Sequence, residues 1–115
     1  MNTTRRHVLG SMFGLSAAAA LPAAFAAGEW PQRAVRMIVP FAPAGATDIV
    51  GRLLAGWLQQ AWGQSCVVDN KSGAGGIIGS TEVVKSAPDG HTILMGNIGP
   101  QSIAYSLYRN MPYTP

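Results

Sequence analysis

Two stretches of this chain follow one plan: an apolar run without polar alternation, a loop carrying glycine, then residues at helical spacing. The first reads Arg36-Met-Ile-Val-Pro-Phe-Ala-Pro-Ala-Gly-Ala-Thr-Asp48, the second Cys66-Val-Val-Asp-Asn-Lys-Ser-Gly-Ala-Gly-Gly-Ile-Ile-Gly79. Apolar runs of this kind suit parallel strands covered on both faces. The loops that follow them aim unpaired N–H groups of a helix start at one spot, which the helix dipole makes favourable for an anion. Two such loops side by side predict a receptor for a small anion.

A third unit follows, with a strand over His91 to Met95, a loop over Gly96 to Gln101 and a short helix over Ser102 to Arg109. The longer helices are expected over Asp48 to Ala61 and about Ile77 to Ser86. Ile49, Leu53, Leu54, Trp57, Leu58 and Ala61 make the apolar stripe of the first, and Val83, Val84 and Ala87 that of the second. Thr47 or Asp48 caps the first helix and Gly63 stops it. The order βαβαβα calls for an α/β fold, a parallel sheet with flanking helices. In such sheets ligands sit outside the carboxyl ends of the strands, where all three loops lie. Trp30, Trp57, Trp62, Tyr105 and Tyr108 read as core or lead-in packing.

The N-terminus divides the chain. Arg5-Arg6 precedes an Ala-rich apolar stretch that ends at Leu21-Pro22, and Ala24-Phe25-Ala26 fits the small-x-small cleavage rule. Residues 1–26 are therefore expected to be an export signal, of twin-arginine type, cleaved near Ala26. Residues 27–115 would be the mature part, working in the periplasm. Arg5 and Arg6 leave with the signal, so six of the eight Lys and Arg remain against five Asp and Glu. The basic balance belongs mostly to the leader, which removes the main support for nucleic-acid binding.

Catalytic chemistry has little to stand on. His91 has no evident carboxylate partner, and Ser, His and Asp fall into no local triad signature. No cluster of His, Cys and carboxylates has metal-ligand spacing. The glycines of Gly73-Ala-Gly-Gly-Ile-Ile-Gly79 miss the dinucleotide pattern, because the sixth place is Ile78. They miss the phosphate-loop pattern as well, because Ser80 follows Gly79 directly. No cofactor is expected. The lone Cys66 sits among valines and reads as a buried small hydrophobe. Asn97, Gln101, Ser72, Ser80, Thr81 and Ser102 stand near loop positions and have side chains able to donate hydrogen bonds. Asp48 is either a helix-start residue or a contact to a ligand hydroxyl or amino group.

Trp30-Pro-Gln-Arg-Ala-Val-Arg-Met-Ile-Val-Pro-Phe-Ala-Pro-Ala-Gly-Ala-Thr-Asp48 resembles the opening of the periplasmic receptors of tripartite tricarboxylate transporters, the Bug or TctC family. Val67 to Gly79, Ala87 to Gly96 and Ser106 to Tyr113 are similar to its later signatures, in order. The resemblance implies the N-terminal part of one lobe of a two-lobed receptor that closes on a small organic carboxylate and passes it to membrane components of the transporter. It implies a binding role rather than an enzymatic one. It places the ligand at Phe41, Ala44, Gly45, Ala46 and Asp48, and at Gly73, Ala74, Gly75 and Gly76, mostly through main-chain N–H groups. Asn97 and Gln101 fall at the same cleft edge. This sequence departs from the family in reading Ala44-Gly45-Ala46 where paired glycines are usual, and in lacking the second lobe. A fragment of a nucleotide-dependent α/β enzyme, or a truncated product without function, are the alternatives.

Overall fold

A computed structural model of the protein describes residues 28–114. The export segment expected over residues 1–26 lies outside the described residues. The elements run β1 (Val35–Val39), α1 (Ala46–Trp62), β2 (Cys66–Asn70), a 3₁₀ turn (Ala74–Gly76), α2 (Ile77–Lys85), β3 (Thr92–Leu94), a π turn (Gly99–Ile103) and α3 (Ala104–Leu107). The three strands form one parallel sheet in the order β2-β1-β3. Met37 lies level with Val68 on one side and Ile93 on the other. The α/β fold with a parallel sheet is thus the one expected.

The central strand explains why the apolar run lacks alternation. Val35, Met37 and Val39 face α1, while Ile38 and Pro40 face the α2 side, and all five are buried. Each large side chain buried this way contributes about 1.5–3 kcal/mol. Pro40 has no N–H to donate, so the ladder ends there. The last rungs are Lys71 N–H to Val39 O and Met95 N–H to Ile38 O, both 2.8 Å. Because α1 and α2 cover opposite faces, the chain reverses direction across β1 and opens a crevice at the carboxyl ends of the strands.

The face that α1 buries differs from the one its large apolar residues predict. Asp48, Gly51 and Ala55 are buried, with Leu58 and Trp62 packed against the same cluster, whereas Ile49, Leu53 and Trp57 are exposed, Trp57 by 74%. Close approach decides the rotation. A methyl built on Gly51 would lie 3.2 Å from Val39 Cγ2 and 3.5 Å from Met95 Cγ, so only small residues admit the helix this near the sheet. In α2 likewise Gly79 and Ser80 are buried, Val84 is exposed, and the helix ends before Ala87.

Other expectations hold. Gly63 closes α1 in a left-handed conformation, its N–H on Gln59 O. Cys66 is buried, and burial pushes its thiol up. Trp30 meets Trp62 edge-on at 4.9 Å and His91 at 5.9 Å, tying the lead-in to the body.

Candidate functional site

The crevice is built from three loops, after β1, β2 and β3, that meet at Gly76. A methyl on Gly76 would fall 2.9 Å from Pro100 Cγ and 3.2 Å from the Phe41 ring. Gly76 has φ +95°, which glycine alone adopts at low cost. Its N–H is used within the turn, donating to Gly73 O at 2.9 Å, and the Ile77 N–H donates to Ala74 O. The N–H groups of Ala74 and Gly75, at the head of that turn, lie outside its ladder. Residues 73 to 76 all have positive φ, which bends the chain sharply through this loop. A larger residue at Gly76 would force Phe41 and Pro100 apart.

The loop after β1 presents a second set of donors. Gly45 caps α1, no side chain bonds the first N–H groups, and the first helical bond is Ile49 N–H to Gly45 O. The N–H groups of Ala46, Thr47 and Asp48 therefore stand free of the helix ladder. Neither Thr47 nor Asp48 acts as the cap. The helix start rests instead on the Asp48 carboxylate, which is buried and bent back on the loop. Its Oδ2 accepts from Ala44 N–H at 2.8 Å and Arg52 Nε at 3.0 Å, and its Oδ1 accepts from Asn70 Nδ2 at 2.9 Å. Asn70 Nδ2 also donates to Phe41 O at 3.1 Å, and Arg52 donates to Asn70 Oδ1 at 3.0 Å. Arg52, the Ala44 N–H and Asn70 together lower the Asp48 carboxyl to about 2. Of the two readings of Asp48, this geometry favours the helix-start one: its oxygens already hold the loop. Asn70 and Arg52 form this lock, and sequence reasoning missed both. Asn70 ends a strand and Arg52 lies one turn past Asp48, which is the signal that was available.

In the third loop Asn97 and Ile98 are exposed and Pro100 is buried. Asn97 Oδ1 accepts the Gly99 N–H at 3.0 Å, a local staple. Gln101 lies against Ser80 and Gly96, its Nε2 3.3 Å from Ser80 Oγ, rather than at the meeting point of the loops. Beside it, between α2 and β3, lies a hollow of about 370 Å³ lined by Val83, Val84, Leu94 and Tyr113 among others, with few polar groups for an anion. His91 does have a carboxylate neighbour, contrary to the sequence reading. Its Nδ1 lies 3.5 Å from Asp89 Oδ1, while the His91 N–H and the Arg33 guanidinium hold that carboxyl below its ordinary range. The pair sits on the turn before β3, at the far end of the strand from the loops. No group of three or more His, Cys, Asp or Glu among the described residues is placed to hold a metal.

Two non-glycine residues of the loops occupy the left-handed region, Ala44 at φ +66° and Ala74 at φ +46°. An alanine there costs about 1–2 kcal/mol. Glycine relieves that strain at the price of roughly 0.4–1 kcal/mol of unfolded-chain entropy. Ala44→Gly and Ala74→Gly are each expected to stabilise the chain by about 0.5–1 kcal/mol. Thermal melts check this, and an unchanged or lower midpoint would show that the loops carry no such strain.

The family model described as "Tripartite tricarboxylate transporter family receptor" matches residues 49–115. Protein BugT of Bordetella pertussis is 42% identical over 114 residues, covering 98% of this chain and 34% of BugT. The solved structure of Rpa4515 of R. palustris with adipate superposes with a TM-score of 0.73 at 41% identity, over 76% of this chain and 29% of that one. MatC of Rhodopseudomonas palustris, with bound malate, gives 0.70 at 39% identity, over 73% and 29%. The chain thus spans about a third of the length of the curated relative it matches.

Proposed function

The chain belongs to the tripartite tricarboxylate transporter family of receptors, and from that premise we propose that it supplies the anion-holding loops of a periplasmic receptor for a small dicarboxylate. What supports this reading is that the N–H groups of Ala46 and Thr47, and of Ala74 and Gly75, are left outside the helix ladders on two loops that come together where Gly76 meets Phe41 and Pro100. Phe41 walls the crevice, Ala44 and Gly45 shape the first loop, and Gly73 gives the second its curvature. Asp48 positions the first loop and Asn97 staples the third. Gln101 supports α2 through Ser80 rather than touching ligand.

The charges near the loops are already engaged. Arg52 is paired with Asp48, and Lys71 lies 3.8 Å from Asp69 and 4.0 Å from Glu82. Neutral backbone donors hold a carboxylate and release it without breaking a buried ion pair, which suits delivery to a membrane transporter. Export through the leader and hand-over to membrane components are parts of this proposal. Among the described residues no helix is long and apolar enough to cross a membrane. The family relatives solved with adipate and malate support a dicarboxylate as ligand class.

The test is an NMR titration of the isotope-labelled chain with adipate, malate and citrate. A whole receptor binding at about micromolar strength gains roughly −8 kcal/mol, and half of that leaves a millimolar half-site. Millimolar shifts confined to the Ala46, Thr47, Ala74 and Gly75 amides are expected. No loop shift at tens of millimolar, or tighter binding of a nucleotide, overturns the reading.

A further inference from the structure

We propose that the Tyr108 hydroxyl is a ligand contact, a donor that closes the second anion loop and helps set which carboxylates fit. The inference rests on the receptor reading above and adds a side chain to a site otherwise made of backbone. Three tyrosines lie around the end of the chain, and they are used differently. The Tyr105 hydroxyl donates to the Tyr113 carbonyl, and the Tyr113 hydroxyl donates to the Pro100 carbonyl at 2.7 Å. Both are occupied in holding α3 and the π turn, with Pro100 against Gly76. Among the described residues the Tyr108 hydroxyl has no such partner, and the residue is 46% exposed.

Its position gives that free hydroxyl a use. A methyl built on Gly75 would lie 3.9 Å from Tyr108 Oη, with no other neighbour within 4 Å. The phenol oxygen therefore lies beside Gly75, on the loop whose leading N–H groups, those of Ala74 and Gly75, are outside the 3₁₀ ladder. The base of the residue is fixed, because its N–H donates to Ala104 O at 2.9 Å and Ala104 is buried. A carboxylate has two oxygens. In this contact one accepts from the N–H groups at the head of the turn while the other accepts a short, charge-assisted bond from the phenol. The added donor is neutral, so the site still releases its anion without separating an ion pair.

The experiment is a titration of adipate into the wild-type chain and Tyr108→Phe, read by NMR, with thermal melts of both. Phenylalanine keeps the ring and removes one hydroxyl that has no partner among the described residues. Affinity is expected to fall about tenfold, the equivalent of about 1.4 kcal/mol, with the melting midpoint unchanged. A purely structural role predicts a lower midpoint at equal affinity. Loop shifts in both chains with equal affinity overturn the assignment of Tyr108 alone. No loop shift in the wild-type chain overturns the receptor reading and this inference with it.

Discussion

Replacing Gly79 with alanine is expected to lower the thermal midpoint by roughly 10–20 °C, whereas the same exchange at Gly56 raises it by about 3–6 °C. Both glycines lie inside helices, where alanine is the better helix former by up to about 1 kcal/mol. Only their surroundings differ. Around Gly56 nothing lies within 4 Å of an added methyl. At Gly79 the methyl would fall 2.8 Å from Lys71 O and 2.9 Å from Pro40 Cα, both backbone atoms that cannot swing aside. The helix would have to lift from the sheet at the point where the loops after β1 and β2 are joined. Overpacking of this kind costs typically 1–3 kcal/mol, and fixed backbone puts Gly79 at the upper end. Paired melts of the two variants check the claim, and equal shifts would disprove the close contact.

Asp48→Asn is expected to lower the midpoint at neutral pH by roughly 10 °C and to weaken carboxylate binding. The amide can accept at one oxygen only. It therefore cannot serve Ala44 N–H, Arg52 and Asn70 together, and its own NH₂ would face the Asn70 or Arg52 donors. The effect also has a definite pH dependence. The carboxyl titrates at about 2 in the folded chain against an ordinary 3.8. A depressed folded value stabilises the fold above the unfolded value and ceases to do so as pH falls through the folded one. The gap between wild type and Asp48→Asn should therefore be constant above about pH 5, shrink between pH 4 and 2, and vanish below. Melts across that range measure it. A gap that persists unchanged at pH 2 would show that the carboxylate charge is not what holds the loop.

Much of the fold was legible because the signals were local. Val35 to Val39 reads as a covered strand from its unbroken apolar run, and Gly63 stops α1 through its tolerance of positive φ. Gly73 to Gly76 mark the second loop for the same reason. The rotation of α1 was not legible. Helical periodicity shows that a face exists, but the residues across the interface choose which one is buried. Ile49, Leu53 and Trp57 form the larger apolar stripe, yet Gly51 and Ala55 allow the closer approach to Val39 and Met37.

The sequence by itself determined the order of elements, the parallel α/β class and the segments that become loops, since each depends on the chemistry of neighbouring residues. Tertiary structure alone decided how those loops are held and what they present. Asp48, Arg52 and Asn70 come together only because β1 and β2 pair in register, which brings the end of one strand beside the helix that follows the other. Gly76 becomes the meeting point of three loops only when Phe41 and Pro100 arrive from opposite ends of the chain. Contacts at such sequence separations depend on sheet order and helix rotation, and those are settled by packing over the whole molecule rather than by any local pattern.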